Sequence, residues 1–303
     1  MTDQLKGTLL TVGGVLVLSP DAMIIRLMSV DPMTVIFWRG LGIFVVLGIL
    51  SLIRHRGRVV AYARRCGWTG LLISLCLAVC QLAFVGGVAT TNPAHVLVMV
   101  AATPLCAAIA SRLLLGERIA PSTAIAIAAG LCGVAIMLSS HLTGGGSWRG
   151  DLIAAAVPIS LGTAFTLIRK LRAEDVWFLY SMAGLMVTLA AWPFHAPGLL
   201  QGTDAALMGF LVLVVVPISF ALITQGPRYI TSAEVSLIML LETILGPIWV
   251  WAVVGIAPTA YALVGGGVLL ATLAIHSWWR LGKARSGRRA QKSEAIPLTS
   301  QSP

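Results

Sequence analysis

The sequence predicts an all-α membrane protein of ten transmembrane helices, arranged as a 5+5 inverted-topology repeat with both termini on the cytoplasmic side. Three observations lead there: the composition, the placement of basic residues, and an echo between the two halves. Of 303 residues, 58% are drawn from AVILMFWYC and only 11% are charged, with a mean hydropathy of +0.93. A soluble domain carries roughly 45–50% apolar and about 25% charged residues. There are too few charges here to solvate a soluble surface, which excludes soluble enzymes and nucleic-acid-binding domains. A span needs roughly 20 apolar residues to cross about 30 Å of hydrocarbon, so this length accommodates ten crossings.

The helices follow from apolar runs broken by Gly, Pro or charge. The first, 5–28, starts behind Lys6 and stops at Ser29–Asp31; with no A-x-A-like site after it, it is expected to remain as a signal anchor. The second, 32–53, opens on Pro32 and ends at Arg54. The third, 67–90, starts after Arg64–Arg65 and turns at Thr90–Thr91 into the fourth, 92–115, which opens on Asn92–Pro93 and closes at Gly116. The fifth, 120–139, begins beside Pro121 and stops before Gly144–Gly146. The sixth, 149–170, runs from Arg149 to Lys170, and the seventh, 176–195, from beyond Asp175 to just before Pro197. The eighth, 205–226, ends at Gly226–Pro227, the ninth, 231–254, at Gly255, and the tenth, 259–280, runs from Pro258 to Arg280. Five cysteines, Cys66, Cys76, Cys80, Cys106 and Cys132, lie in or beside these runs without a CxxC pair and read as small packing residues.

The net charge of +10 sorts by side. With the N-terminus inside, the cytoplasmic segments hold Lys6, Arg54, Arg56, Arg58, Arg64, Arg65, Arg112, Arg118, Arg169, Lys170, Arg172, Arg228, Arg280, Lys283, Arg285, Arg288, Arg289 and Lys292, which is 18 of the 21 basic residues. Arg26 and Arg149 fall outside and Arg39 within a helix. The halves also echo. At an offset of 143, Lys6–Gly7 falls on Arg149–Gly150 and Ile25–Arg26 on Ile168–Arg169; at 139, Gly70, Leu72, Gly87, Ala94, Val96 and Gly116 fall on Gly209, Leu211, Gly226, Ala233, Val235 and Gly255. Five helices per unit send the second copy in from the opposite side, an architecture common among secondary transporters. The expected organisation is one repeat over 1–140, a second over 141–282, and a basic, disordered cytoplasmic tail over 283–303 that touches anionic lipid.

Ala89-Thr-Thr-Asn-Pro-Ala94, followed by a helix ending Leu113-Leu-Leu-Gly-Glu-Arg118, resembles the fourth-helix pattern of EamA-type carriers in the drug/metabolite transporter superfamily. Phe37-Trp-Arg-Gly-Leu41 is similar to that family's second-helix pattern, and Tyr229-Ile-Thr-Ser-Ala233 to its ninth-helix entry. The resemblance covers about residues 5–280. It implies a ten-helix carrier, commonly an exporter of amino acids or other small metabolites, and within the superfamily the chain looks most like the aromatic amino acid exporter branch. Where the family often has an acid before proline in helix four, this chain has Thr103–Pro104, while the repeat-related position is Glu242.

An ionisable side chain deep in lipid costs about 2.5–3.5 kcal/mol on insertion scales, so each implies a partner or a water-filled cavity. Four stand out: Asp21, Arg39, Glu234 and Glu242. Asp21 precedes the outer end of helix one by seven residues, and Arg39 follows the outer start of helix two by seven, which sets both roughly 10 Å deep. Equal depth predicts an ion pair between neighbouring antiparallel helices, either structural or gating. His95, Met99 and Thr103 share one face of the fourth helix, and an offset of 139 carries that face onto Glu234, Ile238 and Glu242. Gln81 is suited to hydrogen-bonding a zwitterion, and Trp38 and Phe165 to stacking on its side chain. The substrate-binding candidates are Trp38, Gln81, His95, Met99, Thr103, Phe165 and Glu242; Glu234 and Glu242 are the proton-coupling candidates. Ser160, Thr163 and Thr166 read as groups that bond their own backbone or join helices. Pro20, Pro104, Pro158, Pro217 and Pro247 mark kinks.

The chain has no G-x-x-x-x-G-K-[ST], H-E-x-x-H or G-x-S-x-G sequence, and Asp151, at a helix entrance, has no partner aspartate at similar depth. No cofactor, metal or catalytic residue is expected, and the protein is not expected to be an enzyme. The reading is a monomeric secondary carrier of the cytoplasmic (inner) membrane, with a small molecule and lipid as its partners, exporting amino acids by alternating access. Proton coupling and facilitated diffusion both fit, as do another metabolite or drug as cargo and a channel-like facilitator.

Overall fold

The computed structural model describes residues 3–54, 59–116, 121–139, 147–171, 176–194, 200–223, 229, 232–272 and 274–275. These residues are helical, with turns between, and contain no strand. That is the demand hydrocarbon makes: every unbonded backbone group costs several kcal/mol there, and a helix bonds its own.

The chain runs α1 (Asp3–Leu18), α2 (Asp21–Leu27), α3 (Pro32–Arg54), α4 (Val59–Thr90), α5 (Pro93–Ala101), α6 (Thr103–Leu115), α7 (Pro121–Leu138), α8 (Trp148–Leu171), α9 (Val176–Ala191) and α10 (Gly202–Phe210). A π-helical turn, Leu211–Val215, leads into α11 (Val216–Ile223); α12 (Ser232–Trp249) ends in a second π turn, Val250–Val254; and α13 covers Ala260–Thr272. Among the described residues, five stretches are long and apolar enough to cross a membrane: Gln4–Leu27, Pro32–Arg54, Ala61–Thr90, Trp148–Ile168 and Gly202–Phe220. The bent pair α5–α6 makes a sixth, and Ala124–Leu138, Val176–Ala191, Leu241–Val254 and Ala260–Thr272 are shorter apolar helices.

Two expected helices are broken rather than continuous, and both breaks have the same repair. Pro20 and Pro104 lack the N–H that would bond the carbonyl four residues back. In each case the hydroxyl of the preceding residue donates to that carbonyl: Ser19 Oγ to Leu16 O at 2.9 Å, and Thr103 Oγ1 to Val100 O at 2.5 Å. α5 and α6 bend by 42° at this point. The third helix starts earlier than the sequence predicts, because eight residues before Gly67 are also helical; Gly67 joins the two parts at φ +51°, a conformation open to glycine at little cost. Gly116 and Gly255, partners at the 139-residue offset, both end their helices in the left-handed region, at φ +69° and +79°. At the start of α5, Asn92 Oδ1 accepts from Ala94 N–H at 2.9 Å and Pro93 occupies the first turn, the start signal read from Asn92–Pro93.

α4 packs along α8, α3 along α9, α1 against α11 and α12, α5 against α12 and α8, and α6 against α8. α7 meets α13 backbone to backbone: a Cβ on Gly133 would stand 2.7 Å from Gly265 O, so no side chain fits. Long-range bonds define two ends. At one, Arg26 Nη1 donates to Ala89 O at 3.1 Å, Asn92 Nδ2 to Ala257 O at 3.0 Å, and the Ser29 N–H to Asp204 Oδ1 at 3.1 Å. At the other, Lys6 lies over the Tyr229 ring and Arg54 over the Trp177 ring. Glu117, Arg118, the tail 283–303 and the tenth helix beyond 275 lie outside the described residues.

Candidate functional site

Pro20 ends α1 and restarts the chain as α2, whose first residue is Asp21. The same position lies level with Arg39 on α3. Arg39 Nη1 donates to Asp21 Oδ1 at 2.5 Å and Nη2 to Oδ2 at 2.8 Å, a two-pronged pair with the residues 7% and 5% exposed. Burying two such ions costs several kcal/mol each, and only paired, charge-assisted geometry of this kind offsets it. The guanidinium also lies 6.0 Å from the centroid of the Phe84 ring on α4. Cys80 on α4 and Tyr180 on α9 are within electrostatic range of it, as is Glu242 on α12. The ion pair thus stands among α2, α3, α4, α9 and α12, which come from both halves of the chain.

On two of these helices, buried polar atoms have no partner among the described residues: Arg39 Nε and Trp38 Nε1 on α3, and both the nitrogen and the oxygen of the Gln81 amide on α4, a side chain on a residue only 3% exposed. Leaving a buried polar group unpaired costs about 1–3 kcal/mol. Glu242 is buried and forms neither a hydrogen bond nor an ion pair with another described residue. Together with the Asp21–Arg39 pair and the Glu242 carboxylate, these unmatched groups make up a buried polar set, here called the polar centre, that a small polar molecule or water could satisfy.

Other sequence-predicted residues have different surroundings. The Thr103 hydroxyl bonds Val100 O at the proline kink. Met99 is buried in the apolar core. Phe165 is 48% exposed on α8 and is absent from the contacts around Arg39. His95, a substrate-binding candidate, is 0% exposed: its Nδ1 faces Asp151 Oδ2 at 2.9 Å and its Nε2 faces Thr259 Oγ1 at 3.1 Å. The backbone of Glu234 lies in α12, but its side chain is outside the described residues. Ser160, Thr163 and Thr166 bond carbonyls of their own helix. Asp151 meets His95 and the Thr91 hydroxyl, which donates at 2.7 Å. The sequence carries no local signal that brings Cys80 or Asp151 to these groups; His95 and Asp151 are 56 residues apart, and no local spacing links them.

The polar centre sits in a fold shared with known proteins. A sequence profile of the EamA-like transporter family matches residues 5–139. Over that first half the chain is similar to the family. Among solved structures, 14 chains match. One, described only as "Crystal structure of protein", is 17% identical, covers 90% of this chain and 98% of its own, and superposes with a TM-score of 0.63. At that identity the likeness shows the fold alone, and it extends beyond the EamA-like half. No curated protein matches.

Proposed function

We propose that this chain is a secondary carrier of the cytoplasmic membrane that exports amino acids, neutral and aromatic ones among them, by alternating access. The observation that carries the reading is the buried polar centre: a closed Asp21–Arg39 pair with Glu242 within electrostatic range of it, and the unpartnered Trp38 Nε1 and Gln81 amide on the helices α3 and α4 that flank it. An amino acid is the simplest cargo that complements it. Its ammonium suits the Glu242 carboxylate, its carboxylate suits the Gln81 amide N–H and the Trp38 indole N–H, and the rings of Trp38 and Tyr180 offer an apolar side chain a surface.

The packing supports ten spans in two inverted five-helix units with both termini inside. If a pseudo-two-fold axis exchanges the units, contact of the third span (α4) with the sixth (α8) implies contact of the eighth (α11) with the first (α1). Likewise the fourth (α5) on the sixth (α8) implies the ninth (α12) on the first (α1). Both implied pairs occur, and the self-paired contacts, α3 with α9 and α5 with α12, lie on such an axis. The basic residues Arg54, Arg64, Arg65 and Lys6 then face the cytoplasm and Arg26 and Arg149 the other side. Energy comes from the substrate gradient or a coupled proton, with Glu242 and Glu234 as its carriers.

The test is a panel of radiolabelled amino acids on purified protein in proteoliposomes, with and without a pH gradient. Saturable uptake competed by neutral amino acids is expected, and Glu242→Gln should weaken it at least tenfold. No competition by any of them would remove the amino acid reading and leave a carrier of another small molecule. Equal initial rates with and without the gradient would remove proton coupling.

A further inference from the structure

His95, Asp151, Thr91 and Thr259 form a second buried polar cluster that plays no part in the cargo site above. Asp151 Oδ2 lies 2.9 Å and Oδ1 3.2 Å from His95 Nδ1; a carboxylate only accepts, so Nδ1 carries the hydrogen. The Thr91 hydroxyl donates to Asp151 Oδ1 at 2.7 Å, and His95 Nε2 meets Thr259 Oγ1 at 3.1 Å. The approach is close because of Gly150: a Cβ there would stand 2.8 Å from Thr91 Cβ. Acid on Nδ1 and hydroxyl on Nε2 is also the order of a nucleophilic triad. Two observations speak against that use: the ring is wholly buried, and Thr259 Oγ1 already accepts from Ala262 N–H at 3.1 Å, capping α13.

What the cluster does is join the two halves at one end. His95 and Thr91 belong to the first half, Asp151 and Thr259 to the second, and Asn92 to Ala257 O repeats the connection beside them. We infer that His95, Asp151, Thr91 and Thr259 are a latch: positioning residues that hold this end of the protein shut and that part when it opens to cargo. The inference rests on the carrier reading, because only alternating access requires these halves to separate here while the opposite end closes.

Hydrogen–deuterium exchange of the full chain in lipid nanodiscs tests it without any substrate. Thr259→Val removes the hydroxyl and keeps the shape. Exchange over 86–96, 147–155 and 255–263 should quicken about tenfold, the factor for one hydrogen bond at the upper end of its usual contribution, while exchange over 59–66 and 176–182, at the opposite end, slows. Asp151→Asn should act in the same direction, and Thr259→Ser should keep the parent pattern. That reciprocal change is the signature of a latch. Exchange that rises at both ends, rises over 255–263 alone, stays unchanged in folded protein, or rises equally in Thr259→Ser overturns it. A failed amino acid panel leaves the latch standing in a carrier of other cargo, whereas unchanged exchange removes the latch and leaves the carrier.

Discussion

Removing the charge of Arg39 should be far worse than removing both members of its pair. In Arg39→Met, a side chain of similar length fills the same space, but Asp21 is left as a buried carboxylate, 5% exposed, without the two bonds of 2.5 and 2.8 Å that now hold it. Breaking a buried pair this way costs about 3–5 kcal/mol, roughly two to three and a half powers of ten in the folded-to-unfolded ratio. Asp21→Asn leaves the guanidinium stranded and belongs in the same range. The double variant strands neither charge and, because both desolvation penalties vanish with it, should recover at least about 2 kcal/mol relative to either single change. Arg39→Lys should fall between, since an ammonium replaces a planar fork with a point charge. The measurement is equilibrium unfolding in mixed detergent micelles followed by helical circular dichroism, run as a double-mutant cycle. Strictly additive single and double effects would refute the reasoning, because they would mean that the two charges do not depend on each other.

Gln81→Leu should raise stability by about 1–3 kcal/mol, by removing two buried atoms without partners, and should weaken cargo binding; a destabilised Gln81→Leu protein would show that the amide is satisfied in the folded state. Ser19→Ala and Thr103→Val each orphan a carbonyl at a proline kink and should cost about 1–3 kcal/mol by the same unfolding assay, with Thr103→Ser restoring most of it. Gly133→Val places a branched side chain 2.7 Å from Gly265 O and should cost about 1–3 kcal/mol or more through overpacking; an unchanged midpoint would mean that α7 and α13 do not touch there.

The helices were legible because hydropathy is a local property and a long unbroken apolar run satisfies its own backbone in hydrocarbon as a helix. Asn92–Pro93 and Gly116 marked a start and a stop that the structure places as a cap and a left-handed end. Prolines 20 and 104 gave the positions of the breaks, but not that the hydroxyl just before each would mend it. The π turns at Leu211–Val215 and Val250–Val254 have no sequence signature used in the reading. Asp21 and Arg39 could be matched because they lie on neighbouring helices, where depth alone sets the partner. His95 and Asp151 could not: their meeting depends on α4, α5 and α8 packing together, which no pattern in one chain region encodes. Thr103 and Met99 share a face with His95, yet a kink between them turns that regularity to other uses.

The Asp21–Arg39 pair also bears on how the chain enters the bilayer. Its members are 18 residues apart, so at about 5–20 residues per second the ribosome delivers the second roughly 1–4 seconds after the first. The first two spans can leave the translocation machinery as a hairpin whose opposite charges already cancel. By contrast, the bond from Trp249 to Ser19 crosses 230 residues and must wait about 10–50 seconds. In such a hairpin the two buried charges of this pair can meet before any later helix is made.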